Sequence, residues 1–292
     1  SGGGTAVTGT GTIATASDVI SSLDISGLND GTVTVSAVLT DAAGNAATAV
    51  THTATLDQTA PVAAEVTAVT TPTNDNTPNV TLSTTEAGTL AIGGSCGSAN
   101  EGAISAGNTT ITLTQGDNST ALTDATYTDC TASVTDSAGN TSNTLTLTSF
   151  TIDTTAPSGQ SVSFNDATIN AAEATSQAFT FASAEVGSSY SYSITSSGGG
   201  TAVTGSGTIA TASDVISSLD VSGLNDGTLT LSVVLTDTAG NAATAVTNTA
   251  TLDAAAPTGH SVSFNDATIN AAEAASQAFT FTSAEVGSSY SY

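Results

Sequence analysis

The chain has 292 residues, no Lys or Arg, 25 Asp plus Glu, two His and a formal net charge of −25. Without cationic side chains it cannot neutralise phosphates, it lacks the Lys of a phosphate-cradling loop, and it has no basic patch for an anionic membrane surface. These absences exclude nucleic-acid, nucleotide and lipid-headgroup binding. Its 38% hydrophobic content and positive mean hydropathy are too apolar for a solvated polyelectrolyte, so a folded chain is expected. No apolar run is long enough to cross a bilayer, and the first residues show neither a basic nor an apolar leader pattern, so no span or signal is expected.

Residues 1–60 open with SGGGTAVTGTGTIATASDVISSLDISGLNDGTVTVS and recur almost unchanged at 197–256, while residues 157–192 recur at 257–292. A diverged relative occupies 61–156, and Ala-Pro dipeptides at 60/61, 156/157 and 256/257 mark the boundaries. The sequence therefore predicts four segments: 1–60, the C-terminal part of a repeat; 61–156, a complete repeat; 157–256, another; and 257–292, the N-terminal part of a repeat. The two partial segments would together make one unit lacking only the Ser-Ile-Thr-Ser found at 193–196.

Within the repeats, apolar and polar residues alternate with period two in QAFTFA (177–182), YSYSIT (190–195), TLTLSVVL (228–235) and ATAVTNTATL (243–252), with Gly, Asn and Asp clusters between the runs. About seven short strands per ~100 residues and no helical period predict an all-β fold, a tandem array of immunoglobulin-like Greek-key β-sandwich domains. The stretch TASDVISSLDVSGL (211–224) reads as an irregular strand E rather than a helical turn. Cores built from Val, Ile, Leu, Ala and an occasional Phe are thin, so additional staples are expected.

The middle repeat, with GTLAIGGSC, ATYTDCTASVTDSAGNTSNTL and FTIDTTAP, and its neighbour, with SVSFNDATINAAEA, LNDGTLTLSVVLTDTAGNAAT and TLDAAAP, resemble the tandem bacterial immunoglobulin-like repeats of giant secreted adhesins and biofilm-associated proteins. The resemblance covers essentially the whole chain. It implies an extracellular place on the bacterial cell surface and, as partners, neighbouring repeats or other copies of the chain. Any surface or host ligand would be bound elsewhere in a full-length protein.

Three acidic motifs recur in register with these repeats. An Asp precedes each Ala-Pro boundary (Asp57, Asp153, Asp253), a Glu-x-Gly follows about 30 residues later (Glu86, Glu185, Glu285), and an Asp-x-Ala-Gly-Asn loop closes each unit (Asp41 to Asn45, Asp136 to Asn140, Asp237 to Asn241). In an immunoglobulin sandwich the second motif falls in the B–C loop and the third in the F–G loop, both at the end where the chain enters the domain. The A–B and E–F turns of the preceding domain face the same junction and carry Asp30, Asp75, Asp124, Glu173 and Asp226. Carboxylates clustered without Lys or Arg repel one another. Oxygen ligands in this number suit Ca²⁺, and the lack of His or free Cys argues against Zn or Cu; the resemblance implies calcium as well. Asp and Gly-Asn also build turns without metal, but three motifs recurring together favour the metal reading.

Cys96 and Cys130 share the middle repeat, the first just after expected strand C and the second on expected strand F, which neighbour in one sheet, so a disulfide is expected, with two buried thiols as the alternative. A bridge implies an oxidising compartment. His52 becomes Asn248 and His260 corresponds to Gln160 in the parallel copies, so neither position demands an imidazole. With no base or oxyanion motif for a nucleophilic Ser, and no aromatic platform for sugar, no enzymatic activity is expected. The sequence thus reads as the calcium-stiffened shaft of a surface adhesin or biofilm fibre. Its alternative is a self-assembling filament subunit whose terminal half-domains complete each other.

Overall fold

The computed structural model describes residues 2–292. The chain forms two compact units, Ser1–Thr154 and Thr155–Tyr292. Among the described residues no helix is long and apolar enough to cross a membrane.

In the first unit, β1 (Gly31–Ala37) and β2 (Val50–Leu56) pair antiparallel as an isolated ribbon. A sandwich follows. One sheet orders β3 (Ala63–Thr67), β4 (Asn79–Thr84) and β8 (Gly107–Thr112) as β3-β4-β8. The facing sheet has the order β12-β11-β5-β7, from β5 (Gly88–Gly93), β7 (Gly102–Ile104), β11 (Thr131–Thr135) and β12 (Leu145–Thr146). These are the A-B-E and G-F-C-C′ sheets of the immunoglobulin architecture. Short ribbons pair β6 (Cys96–Gly97) with β9 (Thr114–Gln115) and β10 (Ala125–Tyr127) with β13 (Phe150–Ile152).

Alternation decides which side chains meet. Val80 and Leu82 on β4 and Ile111 on β8 turn inward against Leu90, Ala132 and Val134 of the other sheet, each 5% exposed or less. Tyr127 stacks on Phe150 with ring centroids 5.3 Å apart. Its hydroxyl accepts from the Thr123 N–H and donates to the Thr123 carbonyl, both at 3.1 Å, which closes the E–F corner.

Cys96 and Cys130 are joined as a disulfide across 34 positions, and both are almost completely buried. Cys130 lies in a break of strand F, between β10 and β11, rather than within a continuous strand. The bridge thus ties the end of strand C to the interruption. Gly94 is required at this point: its φ is +77°, and a Cβ there would stand 2.0 Å from the Asp129 carbonyl oxygen.

The second unit holds a sandwich of the same order with longer strands. One sheet is β14-β16-β19, from β14 (Ser161–Phe164), β16 (Gln177–Ala182) and β19 (Val215–Leu219). The other is β15-β21-β20-β17-β18, from β15 (Thr168–Ile169), β17 (Ser189–Ser196), β18 (Val203–Thr208), β20 (Gly227–Thr236) and β21 (Val246–Leu252). All its pairings are antiparallel except β15 with β21. Strand E runs through 215–219, inside the stretch whose alternation was irregular. Phe179, Phe181, Ile194, Leu229, Leu231 and Leu235 have no exposed surface and form the centre of the core. The unit also holds β22 (Ser261–Phe264) and β23 (Phe279–Thr282), an antiparallel pair exposed except at the half-buried Phe279.

Candidate metal centre

Three separate parts of the chain meet beside the first sandwich. Asp57 arrives on the linker after β2, Glu86 sits in the B–C loop between β4 and β5, and Asp136 begins the F–G loop between β11 and β12. Each can place one carboxylate oxygen within 4.8 Å of the other two. An ion centred between three oxygens spaced at that limit would lie about 2.8 Å from each, so carboxylates drawn only slightly closer would reach the roughly 2.3–2.6 Å of Ca²⁺ ligation. The donors are all hard oxygens, and no cationic side chain exists to balance them.

Local geometry shows why these residues sit there. The Asp136 Oδ1 accepts the N–H groups of Ala138, Gly139 and Asn140, each at 2.8 Å, and its Oδ2 accepts the Asn140 side-chain amide at 2.9 Å. Gly139 supplies the positive φ of +99° that lets the loop fold back on the carboxylate. Asn140 then reaches the Asp57 carbonyl at 3.1 Å, fastening the linker to the F–G loop. Burial pushes the Asp136 pKa up, but the amide and backbone donors outweigh it and the net shift is downward. Glu86 is fixed through its backbone, since the buried Thr84 hydroxyl donates to the Glu86 carbonyl at 2.9 Å.

The other acidic residues predicted at junctions make local hydrogen bonds of their own. Asp30, Asp124 and Asp226 form a matched set in which each carboxylate accepts the N–H of the residue following the linker Asp. The partners are Gln58 at 2.9 Å, Thr154 at 2.9 Å and Ala254 at 2.8 Å. They clamp the linker beside Asp57, Asp153 and Asp253, a role that sequence reading missed although nearly the same spacing, 27, 29 and 27 residues, recurs in the three copies. Asp75 caps its own turn through the Thr77 N–H at 2.9 Å. Glu173 closes a capping box, accepting the Asn170 N–H at 3.0 Å while Asn170 accepts back from Glu173 and Ala172.

Asp237 and Asn241 repeat the closed loop of Asp136, with the amide bond at 2.8 Å. Glu185 accepts the Ser188 hydroxyl at 3.2 Å. Asp153 belongs to the first unit, whereas Glu185 and Asp237 belong to the second. Asp253 and Glu285 both belong to the second unit.

Away from these motifs, Asp117 shows what a turn carboxylate does alone. It accepts the N–H groups of Ser119 at 3.0 Å and Thr120 at 2.8 Å and the Thr120 hydroxyl, which lower its pKa from 3.8 to about 2. A depressed carboxylate pKa contributes stability that is present above the unfolded value and lost as pH falls through the folded one. In carboxyl-detected NMR titration, Asp117 should therefore titrate near pH 2, with the 117–120 turn loosening only between about pH 4 and 2. A midpoint at an ordinary value would show that these bonds are not made in solution.

No protein-family model matches the chain, and no curated protein matches it. Its solved structural neighbours include tandem repeats of a large adhesion protein. A tetra-tandem repeat from the extending region of that protein is 26% identical over 85% of this chain, with a TM-score of 0.34, and the chain spans 63% of its length. The D00-D0 domain of intimin is 15% identical over 64% of this chain and 98% of its own, with a TM-score of 0.28. The BSP domain of a biofilm associated protein is 14% identical over 67% of this chain and 30% of its own, with a TM-score of 0.23.

Proposed function

We propose that the chain is part of the extracellular shaft of a bacterial surface adhesin or biofilm matrix fibre, divided into repeats at 61–156 and 157–256 with partial repeats at 1–60 and 257–292. Calcium at the linkers stiffens it. The observation that carries this reading is the meeting of Asp57, Glu86 and Asp136 from a linker and two loops, in a chain without Lys or Arg. Bound cation would join the linker to the sandwich it enters, removing a hinge. Asn140 and the clamp from Asp30 hold the linker in place for it. In sequence register the same three acidic motifs recur at Asp153, Glu185 and Asp237.

Several features support a structural role. The disulfide suits an oxidising exterior. A uniformly anionic surface keeps neighbouring rods apart over roughly 8 Å at physiological ionic strength. Lack of Lys and Arg also removes every trypsin site.

The test is calcium itself. With dissociation constants of about 10⁻⁴ to 10⁻³ M, typical of extracellular sites, a tenfold excess of free calcium stabilises a site by roughly 1.4 kcal/mol. Chelation should lower the melting temperature of the first unit and shorten the maximum dimension in solution scattering, and Asp57→Ala should remove one bound ion by calorimetry. Identical melting, scattering and stoichiometry across these conditions would overturn the calcium reading.

A further inference from the structure

An edge strand offers a row of backbone N–H and C=O groups to any other chain that can pair with them, so folded proteins keep edges short, bulged, charged or covered. The edges of the two sandwiches follow this rule with one exception. β7, β12 and β15 are only two or three residues long. β3 carries Glu65 and a bulge between Glu65 and Thr67, and β19 slips register against Gln177 and Phe179. On β8 the Thr112 N–H is taken by the Asn100 side chain at 3.2 Å and the Thr112 carbonyl by the Ser98 hydroxyl at 2.7 Å. On β14 the Phe164 N–H goes to the Asn248 side chain at 2.9 Å. The exception is β18, the outer strand of the five-stranded sheet, and among the described residues no strand pairs with its far side.

Six residues long, β18 pairs with β17 without a register shift and contains neither Pro nor a charge. Just beyond it the Ile209 N–H donates to the Ser188 carbonyl at 2.9 Å, which fixes the phase of the ladder. In that phase Gly205 and Gly207 spend their backbone groups on β17, while Thr204, Ser206 and Thr208 turn theirs outward. Tyr192 stands opposite Gly205 and Tyr190 opposite Gly207, and a Cβ on either glycine would meet the facing tyrosine hydroxyl at 2.5 or 2.6 Å. The two rings therefore cover the glycines and brace the strand from its inner side.

We propose that this edge is an interaction surface for β18 of a second copy of the chain, the two strands pairing antiparallel about a two-fold axis at Ser206. Sequence symmetry and charge identify the occupant. Residues 204–208 read Thr-Gly-Ser-Gly-Thr in either direction, so an antiparallel copy sets Ser206 opposite Ser206, Thr204 opposite Thr208 and Gly205 opposite Gly207. Such self-match is what a two-fold joint requires. The three outward-turned residues of each strand then exchange about six backbone hydrogen bonds, and their exposed hydroxyls face one another in pairs. The copy of this strand at 7–12, VTGTGT, changes the central Ser to Thr and keeps the palindrome. A chain of net charge −25 repels its own kind, and the 28 residues from 186 to 213 form its longest stretch without Asp or Glu. Two copies meet with least repulsion there.

The experiment is analytical ultracentrifugation of the 292-residue chain in chelator, so that calcium cannot bridge carboxylates between copies. The 28.1 kDa chain should dimerise as concentration rises, and raising salt from about 0.05 to about 0.5 M should tighten the dimer severalfold by screening the net charge. Ser206→Glu and Ser206→Lys each set like charges face to face and should remain monomeric, whereas their equimolar mixture should dimerise. Because Ser206 is exposed, the second unit should melt unchanged in both variants. Cysteines read the register. Ser206→Cys should form a disulfide-linked dimer under mild oxidation, since Cα atoms facing each other at about 5.5 Å suit the bond. Thr204→Cys should not link to itself but should link to Thr208→Cys in a mixture. Association that ignores the charge at position 206, or cross-linking as fast at Thr204 alone as at Ser206, would overturn the proposal. So would a parent chain monomeric under all these conditions, which would leave the edge to a strand from another protein.

Discussion

Reduction of the Cys96–Cys130 bond should cost the first unit about 3 to 4 kcal/mol and leave the second unit unchanged. The loop closed by the bond spans 34 positions, and tethering its ends removes that much conformational freedom from the unfolded chain. The bond also compensates for local structure that the second unit does not need to repair. Strand F of the first sandwich is interrupted between Tyr127 and Thr131, whereas strand F of the second runs unbroken from Gly227 to Thr236. Because the second unit contains no cysteine, its denaturation transition is an internal control. Chemical denaturation with and without reductant decides the matter: a shift in both transitions, or in neither, would show that the bond is not what holds the first sandwich together.

Phe181→Ala should destabilise the second unit by about 3 to 5 kcal/mol, while the same change at Phe281 should leave both sandwiches at their original stability. Phe181 has no exposed surface and lies edge-on to Phe179 with centroids 5.5 Å apart, so its removal leaves a cavity between two sheets already short of large side chains. Phe281 occupies the identical sequence position with 37% of its surface in solvent. Its ring contacts are with Phe279 and Tyr290 of the same terminal segment and it belongs to neither sandwich core, so its truncation leaves both cores intact. Equal losses for the two variants in a monomeric chain would mean that the terminal segment is already packed within its own unit.

Much of the architecture was legible in the residues. Alternation in QAFTFA and TLTLSVVL gave strands with one buried face, and the recurrent Ala-Pro and Asp-x-Ala-Gly-Asn signals gave the repeat. Two cysteines in one repeat pointed to a bridge. The candidate metal centre was only partly legible. Asp57, Glu86 and Asp136 share their chemistry with Asp30, Asp75, Asp124, Glu173 and Asp226, and nothing in the residue type tells a carboxylate that caps a turn or clamps a linker from one that meets two others. The sheet order separates them, because it carries the B–C and F–G loops to one end of the sandwich beside the incoming linker.

Residues 7–12 and 19–23 show most clearly where sequence stops and tertiary structure begins. Their near-identical copies form strands at Val203–Thr208 and Val215–Leu219, yet residues 7–12 and 19–23 themselves form none. The strand pattern is the same in both places. What differs is the partner: β18 and β19 have β17 and β16 beside them to satisfy their backbone groups and cover their apolar side chains. A strand is stabilised by its neighbours more than by its own residues. The sequence by itself therefore determined which faces are apolar, where the repeats turn and which carboxylates recur. Only the tertiary structure decided which of those faces are covered and which of those carboxylates meet, because both depend on groups brought from distant parts of the chain.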